Sequence, residues 1–464
     1  MADHIERVMS HSKQSKQKNG AALVWAVSTS NYSHQLTRII VLLINVLLIC
    51  NVAIPQVKEK DKRPKPPIRT NFPNPPLAKS KPNLTQAIPQ CLPSSTTSSD
   101  LGIENTGALA KFFRALAATR AGRRIDPIRI MHYGDSHTAK NILTAEIKRS
   151  FQRDFGDGGA GYMIPRNPES TPRRGVLTGA TSGWRVDGVG QQGATDNFLG
   201  LAGLSLSTDS AGESAWVQTT FKRFEVYFLK QPGGGAIDIL VDGKSALDKP
   251  ISLQADAPTP DYYASEASID NVHRIEVRTV RSGRARISGI VTEHLSPGVT
   301  YDVLGINGAR ATRLRGWVNE TSFLYNVELR QPDLIILAYG TNEVTDDDWS
   351  VESYQRMFAE IIRRLRAVAP QASVLVYGPP DRADNQTAIV KMPALIQAQR
   401  NAAIVAGAAF WNSSNAMGGP CSMNLWVLMG LGSNDRVFLT NDGYIKAAGI
   451  FYDNLMKAFR NNGQ

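Results

Sequence analysis

A chain of 464 residues that is 42% apolar and 20% charged has the composition of an ordered globular protein of two or three domains, and this excludes a disordered or fibrous one. Its formal charge of +11 is unevenly placed: residues 1–100 carry thirteen Lys or Arg against five Asp or Glu, and the rest of the chain carries 39 against 36. A nearly neutral bulk argues against a nucleic-acid partner, while a basic arm suits an anionic membrane surface or wall polymer.

Residues 1–37 form that polar, basic arm. From Ile39 to Pro55 the chain runs without a charge, at the short end of the roughly 17–25 residues that span a bilayer. No Ala-x-Ala-like cleavage site follows, so residues 38–55 are expected to be an uncleaved transmembrane signal-anchor. Lys58, Lys60, Lys62, Arg63 and Lys65 place positive charge beyond the run as well, which leaves its orientation open. Residues 56–100, rich in Pro, Lys and Ser, read as an extended tether. Cys50, Cys91 and Cys421 show no spacing that indicates a pair. Unpaired thiols are therefore expected, with a Cys91–Cys421 bridge possible in an oxidising compartment. No Cys/His cluster suggests a metal site.

Order is expected from about residue 101. Leu109 to Ala121 reads as a helix, and Ile128 to Met131 as a buried strand that breaks at Gly134. Leu143, Ile147, Phe151 and Phe155 then recur at helical spacing. The glycine-rich run GDGGAGYMIPRNP follows a helix rather than a strand, so it is not a phosphate loop. Residues 171–300 alternate in the β manner, as in Phe224, Val226 and Phe228, then Ile237, Ile239 and Val241, with Pro232 to Gly235 as a turn. They predict a β-sandwich inserted between two parts of an α/β domain, residues 101–170 and 301–464. In the second part, Leu334–Ala338, Val374–Tyr377 and Ala408–Trp411 read as strands. Helices are expected through Tyr354–Leu365, over Pro393–Ala409, and over Asp442–Phe459 with Thr440 and Asn441 as cap candidates. Alternating strand and helix predicts a doubly wound, flavodoxin-like parallel sheet with its site at the carboxyl ends of the strands.

Three of those ends carry suggestive residues: Ser136, Gly308 in Asn307-Gly308-Ala309, and Asn342 in Gly340-Thr341-Asn342-Glu343. A hydroxyl, an unobstructed amide and a carboxamide donor are the parts needed to attack an acyl carbon and hold the resulting oxyanion. Each residue also has a plainer role open to it, as a cap or in a turn.

The sequence resembles the SGNH (GDSL-like) hydrolases through GDSH at 134–137, INGA at 306–309, YGTNE at 339–343 and NDRVFLTNDGY at 434–444. GGGAIDILVDG and GGPCSMNLW at 418–426 are similar to a bacterial subgroup. Its members pair the hydrolase domain with a carbohydrate-binding-like sandwich and include peptidoglycan O-acetylesterases. The resemblance implies Ser136 as nucleophile, Asp435 as the catalytic residue that orients an imidazole, and an oxyanion hole from the Ser136 amide, the Gly308 amide and the Asn342 side chain. It implies no cofactor. The family pattern Asp-x-x-His, however, is here Asp435-Arg436-Val437-Phe438. Phe438 cannot accept a proton, and the last histidine is His294, well before this block. His137 adjoins Ser136, but neighbouring side chains at a helix start point in different directions; His132 reads as a core residue.

The expectation is an esterase acting on O-acyl groups of a cell-envelope glycan such as peptidoglycan, impaired by the missing base. A non-catalytic glycan-binding pseudoenzyme and a polysaccharide O-acyltransferase stand as alternatives. Expected partners are the glycan and, through the N-terminal helix, the membrane. The expected location is the bacterial inner membrane, single-pass, with globular domains in the periplasm.

Overall fold

The computed structural model describes residues 102–168, 173–188, 196–316, 319–346 and 350–462. The chain divides into two units, 1–82 and 83–464, and every described residue belongs to the second. The expected arm, the anchor at 38–55 and the tether at 56–100 lie outside the described residues. Among the described residues no helix is long and apolar enough to cross a membrane.

Strands follow in chain order as β1 (Ile128–Gly134), β2 (Gly161–Met163), β3 (Leu177–Ala180), β4 (Arg185–Gly188), β5 (Leu204–Thr208), β6 (Ser214–Lys230) and β7 (Ala236–Val241). They continue as β8 (Lys244–Ser245), β9 (Ile251–Ser252), β10 (Thr259–Arg281), β11 (Ala285–Glu293), β12 (Val299–Gly305), β13 (Leu334–Ala338), β14 (Ser373–Tyr377) and β15 (Ala409–Trp411). Five of them form a parallel sheet in the order β12-β1-β13-β14-β15. Their near-continuous apolar sequences follow from burial on both faces. Met131, Tyr133, Ile335 and Leu337 face one apolar cluster, shared with helix Val351–Val368. Ile128, Ile130, Leu334 and Ile336 face the other, shared with helices Ala110–Arg120, Ile142–Phe155 and Asn441–Asn462. The order places the reversal of winding at β1, between β12 and β13, which is where open α/β sheets leave a crevice.

The remaining ten strands form one hydrogen-bonded antiparallel network in the order β4-β5-β11-β6-β10-β7-β8, with β2 on β11, β3 on β6 and β9 on β7. The long strands β6 and β10 bind it together, and β10 shifts register between Glu266 and Asn271. Its inward positions include Phe224, Val226, Ile237 and Ile239, the residues whose alternation marks the sequence.

Two local expectations need correction. The helix expected from Pro393 runs over Gln386–Val405 with Pro393 inside it. Asn385 starts it by accepting from the Ala388 amide at 2.8 Å, a stronger start signal than the proline. Cys421 is disulfide-bonded, not an unpaired thiol. The bond joins positions too far apart in sequence for spacing to reveal, and Cys421 itself sits buried at a left-handed φ of 71° before helix Ser422–Leu428.

Candidate functional site

Ser136 opens the short helix Ser136–Ala139 directly after β1. Asp135 caps that helix, its Oδ1 accepting from the His137 amide at 2.9 Å. What seats the helix is a pair of glycines in register, Gly134 on β1 and Gly305 on β12. A Cβ on Gly134 would lie 2.1 Å from Thr138 Oγ1, and one on Gly305 would lie 2.3 Å from the Ala139 amide nitrogen. The helix therefore rests directly on the strand ends, which leaves Ser136 only 8% exposed with its amide among the helix's first, unbonded N–H groups. Such a terminus favours developing negative charge.

Gly308 lies in the turn after β12 at a left-handed φ of 69°, with open space where a side chain would stand. Asn342 lies after β13, and its Nδ2 donates to the Ala309 carbonyl at 2.8 Å. The two expected oxyanion loops are therefore tied to each other. A second tie is the buried Glu343, which accepts from the Ala311 amide at 2.8 Å and the Gly340 amide at 3.1 Å. Burial pushes its carboxyl up to about 7, against the pull of the Ala311 amide and of its own backbone amide. Glu343 stands in the YGTNE block, but nothing in its spacing signals this task. Arg382 adds a third tie: paired with Asp384, it donates to the Thr341 carbonyl, while the neighbouring Ala383 amide donates to the Arg436 carbonyl at 2.9 Å.

The fourth block behaves differently. Asp435 is exposed, and its Oδ1 accepts from the Val437 and Phe438 amides, each at 2.9 Å. Phe438 packs on the His137 ring at 5.2 Å between centroids. Lys140, one helical turn beyond Ser136, holds its Nζ 3.7 Å from the Phe438 centroid. Its Ser-x-x-x-Lys spacing was a readable signal, because residues four apart share a helix face.

His137 does not replace the missing base. Its Nδ1 pairs with the Tyr444 hydroxyl at 2.7 Å, and its Nε2 has no hydrogen-bond partner among the described residues. The ring lines a small apolar cavity of about 20 Å³ with Trp411, Trp426 and Tyr444, and burial lowers its pKa. His132 is a core residue: Nδ1 meets the Tyr301 hydroxyl at 2.7 Å, and burial lowers its pKa to about 3. Among the described residues no His, Cys, Asp and Glu cluster could hold a metal.

The model of the GDSL-like lipase/acylhydrolase family matches residues 267–422, a span that includes Gly308 and Asn342 but neither Ser136 nor Asp435. The structure titled "Peptidoglycan O-acetylesterase in action, 5 min" is 25% identical, with 78% of this chain and 99% of that one covered at a TM-score of 0.66. A family two carbohydrate esterase from Cellvibrio japonicus is 15% identical over 60% of this chain and 99% of its own, at a TM-score of 0.24. A family two carbohydrate esterase with a carbohydrate-binding domain from Myceliophthora fergusii is 14% identical over 54% and 95%, at 0.29. No curated protein sequence matches the chain significantly.

Proposed function

From the match of residues 267–422 to the GDSL-like lipase/acylhydrolase family and the likeness to a peptidoglycan O-acetylesterase structure, we propose that the chain is an SGNH-type cell-envelope esterase removing O-acyl groups from a glycan such as peptidoglycan, at a rate limited by the lack of an imidazole base. The observation that carries this reading is the support beneath the three expected groups: Ser136 on its paired glycines, and the Gly308 and Asn342 loops joined by the Asn342–Ala309 and Glu343–Ala311 hydrogen bonds. In the reaction, Ser136 Oγ bonds to the ester carbonyl carbon and gives up its proton. The Ser136 and Gly308 amides and the Asn342 carboxamide face the oxyanion. Collapse breaks the bond to the sugar oxygen, which leaves as the alcohol, and water then hydrolyses the acyl-enzyme. With Phe438 in the histidine's place, the serine proton must pass to solvent, which is slow near neutral pH. The basic arm and residues 38–55 would hold the protein at the membrane with its described domains on the glycan side.

A second reading, a glycan-binding pseudoenzyme, draws support from the engagement of Asp435 by two amides and of Phe438 by His137 and Lys140. Fluorophosphonate labelling of the full chain separates the two. Slow labelling that Ser136→Ala removes and Phe438→His accelerates is the expected result. Rapid labelling of the unchanged protein overturns the impaired-base argument. No labelling even of Phe438→His overturns the esterase.

A further inference from the structure

Beside the edge of the parallel sheet lies a cavity of about 400 Å³ that does not include Ser136. Helix Ile142–Phe155 forms one wall, the segment leading into β3 a second, and Thr219 and Thr220 of β6 a third. Its charge is one-sided. Lys148, Arg149, Arg173 and Arg174 line it together with His294, against the single carboxylate of Asp157. Arg149 is neutralised by Glu146, and His294 by Asp270 at 2.8 Å. Asp157 is engaged by Gln152 Nε2 at 2.6 Å and the Gly159 amide at 2.8 Å. Lys148 donates only to the Gly159 carbonyl at 3.2 Å, and Arg173 to the Tyr162 carbonyl at 3.1 Å. Among the described residues Lys148, Arg173 and Arg174 form no salt bridge. Asp157 and the buried Asp302 act on Lys148, and Asp302 on Arg173, but Asp302 is itself paired with Arg330. Cations that outnumber the carboxylates of a recess are costly, and a further anion there would relieve their mutual repulsion. Asn141, Thr144, Gln152, Thr219 and Thr220 surround them with groups that bond hydroxyls.

We propose that this cavity binds a saccharide unit bearing an oxyanion, with Lys148, Arg173 and Arg174 on the anionic group and the Asn, Gln and Thr side chains on the sugar hydroxyls. Its volume lies in the range of small-ligand sites. The site is separate from Ser136, and its occupancy does not depend on chemistry there. A carboxylate and a phosphate both fit the charge, so the test carries both.

Isothermal titration calorimetry of the full chain at low salt, with glucuronate, glucose 6-phosphate and glucose as probes, reads the site directly. Binding of either anionic sugar, with glucose at least ten-fold weaker, is the expected result. Lys148→Gln and Arg173→Gln each weaken that binding about ten-fold or more, since each removes a charge-assisted contact. Fluorophosphonate labelling of Ser136 stays unchanged in both. Arg174→Gln, an exposed position, guards against misfolding of the other two and weakens binding in the same direction. Glucuronate alone binding assigns a carboxylate, and glucose 6-phosphate alone a phosphate. Equal binding of glucose, no binding of either anion, or affinities indifferent to all three substitutions overturns the proposal.

Discussion

At the residue scale, the proposed chemistry turns on one aromatic ring, Phe438. Phe438→His supplies an acceptor beside Lys140, whose ammonium disfavours a second positive charge and keeps the imidazole neutral and able to accept a proton. General-base assistance is worth about 10²–10⁴-fold. A gain in the lower part of that range is expected in kcat/KM on p-nitrophenyl acetate, because Asp435 is held by two backbone amides and must be released before it can orient the new ring. Ser136→Ala in that background should return the rate to zero. Glu343 gives a pH signature. Its carboxyl is raised by burial from 4.5 to about 7, so the folded state holds a proton that the unfolded state has lost between those values. Stability contributed by Glu343 is therefore fully present below about pH 4.5 and declines as pH rises toward 7. Chemical denaturation at several pH values should show this slope in the unchanged protein and a flatter one in Glu343→Gln.

At the scale of elements, helix Ser136–Ala139 depends on its contact with two strand ends. Gly305 carries no side chain because the Ala139 amide occupies that space. Gly305→Ala should push helix Ser136–Ala139 off the sheet, costing about 1–3 kcal/mol as overpacking does. A lower melting temperature together with reduced fluorophosphonate labelling checks this. Gly308→Ala differs in kind, because space is open there but φ is 69°. The cost is backbone strain in the turn that presents the amide. The glycines in the GDSH and INGA blocks are legible in sequence, but the two causes, close approach and left-handed backbone, are distinguishable only in three dimensions.

At the scale of the whole molecule, a buried ionic cluster joins the two sheets. Glu293 on β11 meets Arg129 of β1 at 2.8 Å, Arg330 at 2.6 Å, and Arg223 of β6. Arg330 reaches Asp302 of β12 at 2.6 Å. Burial drives the Glu293 carboxyl up, but the charges of Arg330 and Arg129 outweigh it and hold it well below 4.5. A depressed carboxyl contributes stability present above the unfolded value and lost as pH falls. Acid unfolding followed by tryptophan fluorescence should therefore set in below about pH 4.5. Glu293→Gln takes the carboxylate from Arg129, Arg330 and Arg223, of which Arg330 keeps Asp302 and Arg223 keeps Asp126. Breaking this buried cluster on one side should cost about 3–5 kcal/mol at neutral pH, measured by urea unfolding.

The sequence by itself determined the local elements and their class. Apolar runs bounded by turns specify the parallel strands, period-two alternation specifies the antiparallel insertion, and short blocks mark Ser136, Gly308, Asn342 and the Asp435–Phe438 departure. These are signals of local spacing, and local spacing is what a linear chain displays. Tertiary structure decided which distant groups meet: Glu343 on the Ala311 amide, Lys140 over Phe438, His137 turned to Tyr444, the Glu293 cluster and the bonded state of Cys421. None of these contacts has a period or a motif, because each arises from strands and helices brought together by packing rather than by neighbourhood along the chain.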